Sequence, residues 1–203
     1  SKRVIDETER LLRSNRFLYD VSIVPIAYHD GVVDIEVRTR DTWTLEPGVS
    51  ASRSGGSNKT GFTLKDTNVF GTGVFAGVSS SKDAERTGTE YRISQPHAFD
   101  GWTNIDYSLT QLSDGLNRSM SVTRPFYELD ARWAAGLTAG NDNRINTLYQ
   151  DGKRAGQYRR REEKREGFAG GSAGLVDGWA HRYSLGMTYV KDSYSDAYTL
   201  DPQ

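Results

Sequence analysis

Most of this sequence alternates apolar and polar residues with a period of two, the pattern of a β-strand with one apolar face. The clearest run is Tyr183, Leu185, Met187 and Tyr189, set between Arg182, Ser184, Gly186 and Thr188. From Trp43 onward the same alternation marks eight earlier strands. Leu45, Val49 and Ala51 share a parity in the first, Phe62 and Leu64 in the second, and Val74, Ala76 and Val78 in the third. Tyr91 and Ile93 mark the fourth, Ile105, Tyr107 and Leu109 the fifth, and Leu116, Met120 and Val122 the sixth. Ala131, Trp133, Ala135 and Leu137 mark the seventh. The eighth, residues 156–175, is polar in its first half and glycine-rich in its second. The expected strand length is roughly 9–12 residues, close to what crosses a bilayer at a tilt.

Residues 1–42 read differently. Val4, Thr8, Leu11 and Leu12 fall on one face of a helix, with Glu7, Arg10 and Arg13 on the other. Ser14-Asn15 weakens the helix. Two alternating runs, around Val21–Ile23 and Val33–Val37, then flank Asp30-Gly31, a strong signal for a two-residue hairpin turn. Forty-two residues are too few for a good core of their own.

The connections alternate in character. Asn68-Val69-Phe70-Gly71, Pro96–Trp102, Pro125–Asp130 and Val176–Trp179 are compact and aromatic. Ser54–Lys59, Lys82–Arg86, Ser113–Gly115 and the long charged stretch Asp151–Arg165 are polar. An up-and-down membrane barrel has two unlike ends, one with short turns and an aromatic girdle and one with longer loops. A soluble sandwich would show the same strand alternation, but has no reason to alternate its loops this way. On this reading Tyr107, Leu109, Trp133, Leu137, Leu185 and Met187 face lipid, while Ser108, Gly136, Ser184 and Gly186 face a lumen.

Composition agrees. Only 35% of residues are hydrophobic, yet 11% are aromatic, with 21 glycines and 11 tyrosines among 203 residues. Disordered chains are aromatic-poor, so something orders this one with few apolar residues, as a barrel does. A net charge of −1 gives no case for nucleic acid. The absence of cysteine excludes disulfides and Cys-ligated metals. No apolar stretch reaches the ~20 residues of a membrane helix, and no signal peptide is visible, so the start at Ser1-Lys2-Arg3 reads as a truncation.

No catalytic, cofactor or metal constellation stands out. His29, His97 and His181 lie in or beside turns without ligand spacing. Ser79-Ser80-Ser81 carries no nucleophile-elbow pattern. Arg159–Arg165 mixes signs, as a solvated strand end or loop does. The expectation is a non-enzyme without cofactor.

Three segments resemble a known family. Leu11–Val21 with the hairpin that follows, within residues 6–42, resembles the last two-thirds of a POTRA domain. Leu64–Gly73, with its Asn-Val-Phe-Gly-Thr-Gly run, resembles the second-strand turn of the BamA-type outer-membrane assembly family, the bacterial surface antigens. Tyr91…Gln95-Pro96 and Thr123–Tyr127 resemble its next periplasmic turns. The resemblance implies an outer-membrane location with residues 1–42 as the end of a periplasmic POTRA-like domain. Residues 43–203 would then be the N-terminal part of an antiparallel transmembrane β-barrel. It also implies partners: outer-membrane lipid, unfolded or secreted client proteins, and periplasmic accessory proteins. The alternative is a passive channel, structural barrel or receptor. The family's barrel has sixteen strands, and Leu200-Asp201-Pro202-Gln203 does not read as a terminal aromatic strand, so the expectation is an excerpt of a longer protein.

In that family the first strand closes the barrel and the junction opens sideways. The corresponding residues are Thr44, Leu45, Glu46, Pro47, Gly48, Val49, Ser50 and Ala51. Proline cannot donate to a ladder, so Pro47 is expected at a bulge or a weak seam. Gly48, and Gly55-Gly56 in the hairpin that follows, are expected to loosen this strand further. The periplasmic turn motif comprises Asn68, Phe70, Gly71 and Gly73.

Overall fold

The computed structural model describes residues 2–198, so the chain end at Leu200–Gln203 lies outside the described residues. One helix, α1 (Lys2–Arg13), is followed by a hairpin of β1 (Leu18–His29) and β2 (Val32–Asp41). Nine further strands follow: β3 (Leu45–Ser54), β4 (Ser57–Asp66), β5 (Phe75–Lys82), β6 (Thr87–Ala98), β7 (Thr103–Leu112), β8 (Gly115–Arg124), β9 (Trp133–Gln150), β10 (Lys153–Val176) and β11 (Trp179–Tyr198). They form one antiparallel meander in chain order, open at both sides, with β3 and β11 as its edges.

α1 stops where side chains take over its orphan carbonyls. Ser14 Oγ donates to the Leu11 carbonyl at 2.6 Å and Asn15 Nδ2 to that of Leu12 at 3.1 Å. The buried face is rotated from the expected one. Ile5, Glu9, Leu11 and Leu12 are half-buried, whereas Val4 and Thr8 are exposed. The reason is polar: Glu9 accepts the Ile23 backbone N–H at 3.1 Å, beside the buried Val21 and Ile23 of β1. One helix and one hairpin do not by themselves make a complete POTRA domain.

The hairpin turns follow from their residues. Asp30-Gly31, Gly55-Gly56, Asp151-Gly152 and Asp177-Gly178 all have positive φ at both positions, as a type I′ turn requires. Gly55-Gly56 therefore matches its hairpin rather than loosening it. The far-end connections are tight turns, not the longer loops expected. Only residues 55–56, 83–86, 113–114 and 151–152 lie between strands there. Length resides in the strands instead, with 18, 24 and 20 residues in β9, β10 and β11. Most of the charged Asp151–Arg165 stretch is the first half of β10.

Register sorts the two faces, because directly opposed residues share one. Tyr107 pairs Ile93 and Met120, Met120 pairs Ala139, Ala139 pairs Arg165, and Arg165 pairs Tyr189. Tyr107, Leu109, Trp133, Leu137, Leu185 and Met187 consequently lie on one face, as expected, with Ser108, Gly136, Ser184 and Gly186 on the other. Nothing in this single layer covers the apolar face, and Leu185 and Met187 are 84% and 81% exposed. A continuous exposed apolar face of this kind marks contact with lipid or a partner. No described helix is long and apolar enough to cross a membrane.

Candidate strand-accepting edge and docked turns

β3 pairs β4 residue for residue from Leu45↔Asp66 to Ser54↔Ser57 without a register shift. Pro47, opposite Leu64, thus sits in a regular strand and not at a bulge. The orientation of its missing donor follows from parity. Thr67 N–H donates to the Thr44 carbonyl at 3.0 Å, and hydrogen-bonded pairs alternate along an antiparallel ladder. Glu46, Gly48, Ser50 and Ser52 therefore bond β4, while Leu45, Pro47, Val49 and Ala51 turn their backbones to the open edge. Pro47 costs the β3–β4 ladder nothing. It removes one donor from the free edge, where proline is tolerated.

Two further details fix β3 against β4. Lys65 Nζ lies 2.9 Å from Glu46 Oε2 on the polar face. A Cβ on Gly48 would meet only Thr63 Cβ, at 3.9 Å, so packing does not demand glycine there.

The Asn68–Gly73 motif closes on itself between β4 and β5. Asp66 Oδ1 accepts the Asn68 N–H at 2.9 Å, and Asn68 Oδ1 accepts the Gly73 N–H at 2.7 Å. Val69 N–H bonds the Val74 carbonyl at 2.9 Å. Gly71 and Gly73 have φ of 74° and 75°, the left-handed region that glycine adopts without strain. Phe70, at φ 52°, is 99% exposed at the tip. Gly73 approaches the Phe17 ring, where an added Cβ would lie 3.9 Å away.

α1 docks at this same end of the sheet. Arg3 Nη2 meets Asp130 Oδ2 at 2.8 Å, and the Leu129 N–H donates to Glu7 Oε1 at 2.9 Å. His97 faces Asn15 Oδ1 through Nε2 at 2.6 Å and the Gly101 carbonyl through Nδ1 at 3.0 Å. Beneath these contacts lies a cavity of about 410 Å³, lined by Asn15, Phe17, Thr67, Arg92 and His97 among others. The Arg3 hydrogen bond, followed by the Leu175 N–H, holds the Asp130 carboxyl below its ordinary range.

A second cluster gives this end its aromatic rim. Trp102 stacks on Tyr127 with centroids 4.0 Å apart. The Arg124 guanidinium lies 3.9 Å from the Trp133 ring centre and 4.8 Å from that of Tyr127. Its Nε donates to Asp100 Oδ2 at 2.8 Å. That bond, with the Trp102 N–H, brings the Asp100 carboxyl down to about 2. Sequence reasoning noted the Thr123–Tyr127 segment but missed that Arg124 organises it. It also missed the His97–Asn15 contact, which joins residues far apart in sequence.

With this geometry in place, the comparisons with known proteins decide the fold. The crystal structure of BamA from Haemophilus ducreyi lacking POTRA domains 1–3 matches with a TM-score of 0.52. The match covers 95% of this chain and 50% of that one, at 13% identity. The chain has a BamA-like barrel fold. It spans about half the length of that BamA chain. No family model matches the sequence, and no curated protein does. Among the described residues, Leu45–Ala51 lie in the edge strand β3 with Thr44 just before it, and Asn68–Gly73 is the first turn at the end where α1 docks.

Proposed function

We propose that this chain supplies the N-terminal strands of an outer-membrane β-barrel that assembles other membrane or secreted proteins, acting without catalysis. Residues 1–42 end a periplasmic POTRA-like domain and residues 43–203 begin the barrel. Unfolded clients, periplasmic accessory proteins and outer-membrane lipid are its partners. The observation that carries this reading is the BamA-like fold of the sheet, in which β3 is an edge strand of the described residues, with the backbone groups of Leu45, Val49 and Ala51 facing away from β4. An exposed edge pairs with an incoming strand by β-augmentation.

The test is disulfide trapping in cells. Single cysteines at Val49 and Ala51 are combined with cysteines along the terminal strand of an assembling client barrel. Cross-links should form in one fixed register at both sites, and not from Thr63 on β4. A passive channel predicts no client cross-link at any β3 position, and that result sinks the proposal.

A further inference from the structure

The charges of β9–β11 are partitioned between the two faces. On the polar face, away from the docked end, Arg160, Lys164 and Arg144 each have an acid beside them. Arg160 Nε lies 2.8 Å from Asp192 Oδ1, Lys164 Nζ 2.9 Å from Glu166 Oε1, and Arg144 Nε 3.3 Å from Asp142 Oδ2. The continuation of the apolar face is the opposite. There Arg118, Arg159, Arg161 and Lys191 have no acidic partner within ion-pair distance among the described residues. The acid among them, Glu163, is taken by Arg165 at 3.3 Å.

These cations share one concave site. Arg118 pairs Asn141, Asn141 pairs Glu163, and Glu163 pairs Lys191. In the adjoining row Leu116 pairs Asn143, Asn143 pairs Arg161, and Arg161 pairs Ser193. Together with Asp142 and Glu162, whose charges are met by Arg144 and Arg160, they line a hollow of about 470 Å³. Arg159 adds a donor at its margin, held to Asn143 Oδ1 at 3.0 Å.

The height of this hollow identifies its occupant. Along β11 the apolar face runs from Trp179 through Tyr183, Leu185 and Met187 to Tyr189. At about 3.3 Å per residue and a tilt of about 40°, that run rises about 25 Å, the height of the apolar band of a membrane barrel. Lys191 is the next residue on that face. The unpaired cations therefore begin where hydrocarbon ends and headgroups start, at the end of the sheet away from α1.

We infer that this patch binds the phosphate groups of a lipid headgroup in the leaflet distal to α1. Guanidinium groups and side-chain amides are the donors that phosphate oxygens take, and the acyl chains of such a lipid lie along Met187 and Leu185 below. This inference rests on the membrane-barrel reading above.

The test reconstitutes the full-length protein that carries this chain into phosphatidylcholine vesicles with or without lipid A, a glycolipid bearing two phosphates. Lipid A retained per protein is then measured after gentle detergent extraction. Each basic side chain near an anionic lipid surface contributes about fivefold, so R118Q/R161Q/K191Q should lower retention by roughly a hundredfold. The charge-preserving R118K/R161K should restore most of it, and K164Q on the polar face should leave it unchanged. Equal retention by the wild type and the triple variant overturns the lipid site, as does an equal loss with K164Q. Insertion into phosphatidylcholine without preference for lipid A overturns this inference alone. Failure to insert into either vesicle overturns the barrel reading and this site with it.

Discussion

The sheet terminates its strands in two ways. From β3 to β8 each strand is 8 to 12 residues long and ends in a turn near the limit of the apolar band. From β9 to β11 the strands run on for 18 to 24 residues, well beyond the 9–11 that cross a bilayer. The short half has apolar residues over most of its length. The long half has its regular apolar alternation next to the docked end. Farther up, β10 is dense in charge and β9 and β11 are mostly polar, with scattered Ile145, Leu148 and Tyr194. A strand outside hydrocarbon has both faces in water, so hydrogen bonding and ion pairing hold it while its hydropathy loses its period. Strand length and hydrophobic length are separate quantities here.

The largest effect that separates the two parts of β9 is a charge placed in the apolar band. Leu137 lies about 10 Å above Trp133 by strand rise and tilt, close to the middle of that band. Leu137→Arg is expected to cost about 2–4 kcal/mol, and Ser184→Arg on the polar face much less, in urea unfolding from vesicles. Equal costs would break the assignment of faces.

A smaller effect tests where the short half meets the long one. A Cβ on Gly115 would fall 1.8 Å from the Asn143 backbone oxygen, whereas at Gly156 it would meet nothing within 4 Å. Gly115→Ala should destabilise by about 1–3 kcal/mol and Gly156→Ala hardly at all, in the same unfolding assay. A neutral Gly115→Ala would show that β8 does not end pressed against β9.

The smallest effect concerns the docked end. Asp130 has a lowered pKa because Arg3 bonds its charged form, so the contact is complete above the ordinary carboxylate range, near pH 4. It is lost as pH falls further, through the lowered value. Energy transfer between dyes on α1 and on the 125–132 turn should drop in acid for the wild type. Arg3→Gln should show weaker transfer at neutral pH and little further change. A pH response that survives in Arg3→Gln would assign the docking to other groups.

Much of this architecture was legible in the residues. The nine strands, the face assignments and the Asp30-Gly31 turn follow from period-two patterning and from the φ > 0 demand of a type I′ turn. The length of β9 and β10 did not show because Asp151-Gly152, an equally strong turn signal, is followed by a charged run. Such a run lacks the apolar alternation that announces a strand. The buried face of α1 was misjudged because Glu9 packs inward for a backbone hydrogen bond, which no hydrophobic pattern records. The first strand of the large sheet was located, but not which way Pro47 points. That was readable: the two-residue turn at Gly55-Gly56 sets the parity of every rung before it. The Arg124 cluster depends on side chains converging from separate turns, and sequence spacing does not encode it.

The meander order has a kinetic consequence. Each strand of the large sheet pairs only with its immediate neighbours in sequence, across connections of two to eight residues. Loop-closure entropy is small at every step and the contact order is low for an all-β chain, which favours rapid growth hairpin by hairpin. Such a sheet can lengthen one strand at a time as the polypeptide arrives, with no strand waiting for a distant partner.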